Sequence, residues 1–243
     1  MKSKKIIALM IGKKTSYGIP GKNIKKIHKK HLFEFPIISA LKTNLIDKLY
    51  ISTDCPTIKR HSSKYKPTII NRPKYIQNPN TLTEDVLFHA HNKIKELEGG
   101  IKNIKYYILL YANGAFVNSS LIRKAINKFD KHPSFDSCVG TVSADMFTPI
   151  RAKIVDKKNQ LKPFIDLKYF KNITSNRDSA GKAYFIDLSL QIIKPHCFEK
   201  MNGNQKPFLW LGSKILPFEK EFGGDIDANW QFTLLEKWLD QNF

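Results

Sequence analysis

From Gly12 to Asn23 the chain reads Gly-Lys-Lys-Thr-Ser-Tyr-Gly-Ile-Pro-Gly-Lys-Asn, a set of residue types suited to holding phosphate. Lys13, Lys14 and Lys22 bring three ammonium groups to one loop, and Ser16 adds a hydroxyl donor. Gly18 and Gly21 let backbone N–H groups approach a ligand closely. The glycine spacing fits neither a Walker A loop nor a dinucleotide fingerprint. The same composition also suits an ordinary surface loop with solvated lysines, so the loop alone leaves both readings open. A second group lies far along the chain, where Asp225-Ile226-Asp227 follows Gly223-Gly224. Carboxylates two residues apart in an extended segment point the same way. Facing a Mg2+ ion they would supply the one or two carboxylates that this cation takes alongside phosphate oxygens. Asp227 could instead cap the helix that follows.

Positioning such groups requires regular elements, and the sequence alternates strand and helix patterns, the signature of an α/β fold with a mostly parallel sheet. The apolar run Ile6–Ile11 reads as a buried central strand ending at the Gly12 loop. A helix opening near Pro36 presents Ile37, Ile38, Leu41 and Leu45, and 49–54 forms a second strand. Thr81 and Glu84 have capping-box spacing before a helix that ends at Gly99-Gly100. Strands follow at 106–110 and 137–142, with a helix opened by Asn118 between them. From about Asp145 to Asp178 the pattern turns into Pro-interrupted, Lys-rich segments, an inserted arm rather than another strand–helix repeat. Strands near 183–186 and 214–217 and a last amphipathic helix carrying Phe232, Leu235, Trp238 and Leu239 complete the order. In such sheets ligands bind beyond the carboxyl ends of the strands. The loops after Ile11, Ile51 and Leu110 are therefore the places for chemistry.

Composition narrows the functional classes. The 243 residues include 41 Lys+Arg against 21 Asp+Glu, a net charge of +20, yet the lysines are spread along the whole chain rather than gathered in a nucleic-acid stripe. Three scattered cysteines exclude a disulfide scaffold, and the seven histidines show no metal-ligand spacing. Cys55, just after the second strand, is placed to line the pocket but lacks a paired base. The apolar run at 6–11 is far shorter than the ~20 residues of a membrane span. It also lacks a cleavage site, so a cytoplasmic protein with no membrane contact is expected.

Several blocks, in order, resemble the acylneuraminate (nonulosonic acid) cytidylyltransferases, the CMP–sialic acid synthetase family. Ser16, Gly18, Ile19, Pro20, Gly21, Lys22 and Asn23 match that family's Arg-Gly-Gly-Ser-Lys-Gly-Ile-Pro-Gly-Lys-Asn loop. The unit from Pro36 to Ser52-Thr53-Asp54, the pair Arg72-Pro73, the stretch Thr81-x-Thr83-x-Asp85 and the Asp225-Ile226-Asp227 ending are similar too. The resemblance implies a three-layer, Rossmann-like nucleotidyltransferase fold over a single domain, residues 1–243, with 145–178 as an inserted dimerisation arm. It implies a reaction in which the anomeric hydroxyl of an acidic nine-carbon sugar attacks the α-phosphate of CTP, giving a CMP-sugar and pyrophosphate. It assigns Lys22 and Lys13 to catalysis, and Ser16, Gly18, Asn23, Arg72, Thr81 and Thr83 to the nucleotide. Asn113, Arg151 and Arg177 go to the sugar, and Asp225 and Asp227 to Mg2+. A homodimer is implied, with each arm near the partner's sugar site.

The departures are specific. Lys13 stands where the family has Arg, and Tyr17 where it has Lys. The loop Tyr111-Ala112-Asn113-Gly114-Ala115-Phe116 departs from the sialic acid pattern and is closer to the pseudaminic acid branch, as are 149–152 and 179–184. These departures keep two alternatives open: transfer to another acidic sugar or from another nucleotide, and a binding relative whose active site has decayed.

Overall fold

The computed structural model describes residues 3–15, 18–78, 80–143 and 147–243, except for the side chains of Arg177 and Ala180. The run KIIALMIG forms β1 (Lys5–Gly12), which lies between β4 (Lys48–Thr53) and β6 (Ile104–Tyr111), parallel to both. Its alternation serves two cores at once. Ala8 and Met10 face the layer of α1 (Glu34–Leu41) and α4 (Ser119–Asp130), while Ile7, Leu9 and Ile11 face α3 (Thr83–Leu97). A strand apolar on both faces belongs inside a three-layer sandwich, and that is the architecture. A third cluster joins Phe35 and Phe116 to Phe232, Leu235 and Leu239 of a C-terminal helix, α6 (Trp230–Asn242).

The remaining elements are a small hairpin, β2 (Lys26–Ile27) with β3 (Lys30–His31); α2 (Pro56–Ser62); β5 (Thr68–Asn71); β7 (Ser137–Ser143); an arm hairpin, β8 (Lys153–Val155) with β9 (Leu161–Pro163); β10 (Tyr184–Ile193); α5 (His196–Glu199); and β11 (Ile215–Glu219). The seven-stranded sheet runs β11-β7-β10-β6-β1-β4-β5. β10 is antiparallel to both of its neighbours, and the other pairings are parallel. The arm explains the reversal. The chain leaves the sheet at the carboxyl end of β7, passes through the arm and re-enters at that same end, so β10 must run backwards. Simple alternation does not anticipate this, and it also underestimates β10, which continues well past Ile186.

Two local expectations are corrected. Helix α3 starts at Thr83 after Leu82 and makes no side-chain cap, so the Thr81/Glu84 capping box does not form. Leu45 lies beyond α1 and is exposed. By contrast, Asn118 caps α4 as its type predicts, accepting from Leu121 N at 2.9 Å. The start of the arm, Asp145, lies outside the described residues. The rest of the arm stands away from the body with Leu161 at 70% and Tyr169 at 76% exposure. No helix among the described residues is long and apolar enough to cross a membrane.

Candidate active site

A cleft of about 330 Å3 opens where β1, β4, β5 and β6 present their carboxyl ends. Its floor is the Gly12 loop. Lys14 N donates to Asp54 Oδ1 at 2.8 Å, tying the start of the loop to the end of β4. Asn23 Nδ2 donates to Lys13 O at 3.1 Å and Asn23 O accepts from Phe33 N, so Asn23 clasps the two ends of the loop together. Gly21, at φ 68°, occupies the left-handed region that a side chain disfavours, and it launches the turn that carries Lys22. Gly18 lies so close to the opposite wall that a Cβ there would sit 3.2 Å from Asp227 O.

Lys22 is 8% exposed, and its Nζ pairs with Asp227 Oδ1. Asp225, Ile226 and Asp227 lie between β11 and α6, and Ile226 is fully buried in the cluster with Phe35 and Phe116. The residues on either side of it both line the cleft. Ile226 N donates to Asn113 O at 3.2 Å, joining this segment to the loop after β6. Asp227 does not cap α6, because Asn229 holds that position and Asp227 N donates to Gln231 Oε1. Asp225 Oδ1 is buried without a hydrogen-bond partner among the described residues.

Burial, reinforced by the neighbouring Asp187 and Asp227, pushes the Asp225 carboxyl up to about 7, with Lys22 and Lys220 opposing. In the folded protein it keeps its proton to that pH, whereas in the unfolded chain it loses it near 3.8. The contribution of this group to stability is therefore full at low pH and is lost as pH rises to about 7. Asp225→Asn should flatten that part of the profile. Thermal melts of both proteins at about pH 5 and about pH 8 check this, the expectation being a larger drop in wild type. Equal drops would contradict the assigned environment.

Arg72 closes the far wall. It is 7% exposed, donating from Nε to Ser52 Oγ at 3.1 Å and from Nη2 to Ser52 O at 2.8 Å. Burial lowers its pKa to about 10, with Asp54 opposing, so it stays cationic at neutral pH. Thr81 and Thr83 line the same wall, and Thr81 Oγ1 is buried with no partner among the described residues.

The cleft thus gathers Lys13, Gly18, Lys22, Asn23, Arg72, Thr81, Thr83, Asn113, Asp225 and Asp227. Ser16 and Tyr17 lie outside the described residues. Arg151 is not in this cleft. It is exposed on the arm, where Nη2 donates to Ser175 O at 3.2 Å beside a separate hollow. Arg177 belongs to a short turn of the same arm, and its side chain is outside the described residues. Cys55 packs in the core at 4% exposure and does not line the cleft, because α2 begins at Pro56 and turns it inward. Gln77 and Asn78, which carry no motif of their own, also line the cleft, as does Tyr111, the last residue of β6. Burial, then the charge of Asp225, raises the Tyr111 phenol well above its usual range. Elsewhere Asp136, His196 and Cys197 approach one another. Asp136 already accepts from Ser213 and Lys214, and burial pushes the Cys197 thiol up to about 12, so the trio is a structural knot.

A family model described as cytidylyltransferase matches residues 12–196. Among curated proteins, the chain is 25% identical over 197 residues to a Helicobacter pylori protein. That protein is named pseudaminic acid cytidylyltransferase and UDP-2,4-diacetamido-2,4,6-trideoxy-beta-L-altropyranose hydrolase. The match covers 80% of this chain but only 36% of that relative. Among solved structures, a CMP:2-keto-3-deoxy-manno-octonic acid synthetase complexed with CTP superposes with a TM-score of 0.69 at 15% identity, over 98% of this chain and 99% of that one. A 4-diphosphocytidyl-2C-methyl-D-erythritol synthase from Anaerococcus prevotii gives 0.63 at 15% identity, over 98% and 96%. At such identities the likeness is one of fold: an α/β sheet that is mixed and mostly parallel.

Proposed function

The chain belongs to the cytidylyltransferase family, and from that premise we propose that it transfers the cytidylyl group of CTP to an acidic nonulosonic sugar of the sialic, pseudaminic or legionaminic type. The observation that carries this reading is the convergence of Lys22, Arg72 and the Asp225/Asp227 pair on one cleft at the strand ends. Phosphoryl-type transfer needs little beyond positioning and charge stabilisation. Lys22 and Lys13 supply cations to the triphosphate, and Gly18 lets the loop backbone come close. Arg72, fixed by its two bonds to Ser52, offers its remaining N–H groups to the nucleotide. Thr81 and Thr83 turn hydroxyls toward it, and Asn113 stands on the side where the sugar would lie.

The donor set fits Mg2+. Asp225 Oδ1 has no partner among the described residues, and Asp227 lines the same cleft, whose other charged residues are Lys13, Lys22 and Arg72. These two carboxylates would hold the ion, which supplies charge neutralisation to the phosphates. Pyrophosphate release with each nucleoside triphosphate, against a panel of nonulosonic acids and the eight-carbon 2-keto-3-deoxy-manno-octonic acid, tests the reading. CTP and a nonulosonic acid should give the fastest release. Activity confined to another nucleotide, or none with any sugar, would overturn it.

The arm fits a homodimer. Leu161, Phe164 and Tyr169 present apolar surface on the arm, which its own chain leaves exposed. Arg151 and Arg177 sit on that arm, where a partner's cleft would bring their guanidinium groups to a sugar carboxylate. Light scattering is expected to give twice the chain mass of 28.0 kDa, and Leu161→Asp with Tyr169→Asp to give monomers of low activity. A fully active monomer would contradict the arm's role.

A further inference from the structure

Behind the carboxylate segment lies a buried ion pair that does not itself line the cleft. Lys220 Nζ pairs with Asp187 Oδ2, each side chain being 1% exposed. Lys220 Nζ also donates to Phe116 O at 2.6 Å and to Ser189 Oγ at 2.8 Å, so all three ammonium hydrogens are engaged. Asp187 Oδ1 accepts from Gly224 N at 3.0 Å and from Ser189 N at 3.1 Å. Desolvation offsets much of the attraction in a buried pair, so stability alone is a weak reason for one.

The connections supply a better reason. Phe116 ends the loop that carries Asn113, and Gly224 immediately precedes Asp225. The bond from Ile226 N to Asn113 O closes the circuit between those two segments. Glycines make room for it. A Cβ on Gly223 would meet Asp187 Oδ2 at 2.6 Å, and one on Gly140 would meet Asp187 Oδ2 and Lys220 Cδ at 3.2 Å. The register of β10 against β7 also shifts between Asp187 and Gln191, where the strand turns Asp187 inward.

We propose that Lys220 and Asp187 are positioning residues for cytidylyl transfer, a buried brace that fixes Gly224–Asp227 so that both carboxylates face the cleft. The inference rests on the proposed function, and its test separates the two. Lys220→Met removes the charge at nearly constant length. Gly223→Ala displaces the segment without altering any charge, and it decides the matter should Lys220→Met fail to fold. Lys5→Met is the control, since it breaks the Lys5–Glu98 pair at the opposite end of the sheet. Amide exchange and steady-state kinetics are read for all of them.

In both test variants the amides of 223–227 should exchange roughly tenfold faster than in wild type. Their kcat should fall on the order of 100-fold, as a misplacement of about 1 Å can cause, with KM for CTP nearly unchanged. Lys5→Met should melt lower yet keep wild-type kcat and exchange at 223–227. Wild-type exchange at 223–227, or faster exchange with undiminished kcat, in a folded test variant would overturn the brace. Absence of turnover in wild type itself, with every acceptor, would instead sink the proposed function and leave the exchange result to judge the brace.

Discussion

Lys22→Ala is expected to reduce pyrophosphate release by roughly 10²–10³-fold while the protein stays folded. Lys22 is 8% exposed and lines the cleft, so water cannot replace its ammonium cheaply beside a developing pyrophosphate. A cation placed where charge grows contributes more in the transition state than in the ground state, so the loss falls on kcat. Its ion-pair partner, Asp227, is 69% exposed, so water solvates the carboxylate that the substitution leaves behind. The melting temperature should therefore move little. Lys22→Arg keeps the charge but not its compact shape and should recover part of the rate. Near-wild-type release by a folded Lys22→Ala protein would remove Lys22 from the mechanism.

The second large effect belongs to the carboxylates. Asp225→Asn and Asp227→Asn should each lower magnesium-dependent turnover by at least on the order of 10²-fold, because the charge stabilisation at stake is several kcal/mol. The two variants should differ in stability. Asp225 is crowded by Asp187 and Asp227, so neutralising it relieves repulsion near and above pH 7. Asp227 has Lys22 as its partner, and losing that charge leaves a nearly buried ammonium less compensated. A capping role would instead predict a loss of about 1 kcal/mol with an unchanged metal requirement, but Asn229 occupies the cap position. Titrating magnesium into both variants beside wild type, with melts on the same samples, distinguishes these outcomes. Unaltered rates and unaltered magnesium titration would exclude a metal role.

Much of the cleft is legible along the chain because it is local. The Gly12–Asn23 loop and the Asp-x-Asp pair each place their groups within a few residues, so type and spacing suffice. Arg72 is visible through the short strand that delivers it. What is not legible depends on distant chain. The direction of β10 follows from where the arm re-enters the sheet, which no local periodicity records. Lys220 and Asp187 lie 33 residues apart, and each alone reads as a solvated charge. Thr81 has capping-box spacing, yet the turn from Thr81 N to Asn78 O sets it in the cleft wall. Arg151 cannot be placed from spacing, because the arm carries it away from the cleft of its own chain.

The most direct test of cytidylyl transfer is a phosphorus NMR spectrum of CTP incubated with the protein, magnesium and a nonulosonic acid. The account predicts that the triphosphate signals give way to one phosphodiester and an equal amount of pyrophosphate, with both appearing far more slowly in the Lys22→Ala protein. Persistence of intact CTP with every acceptor, or its conversion to CDP and phosphate, would contradict it.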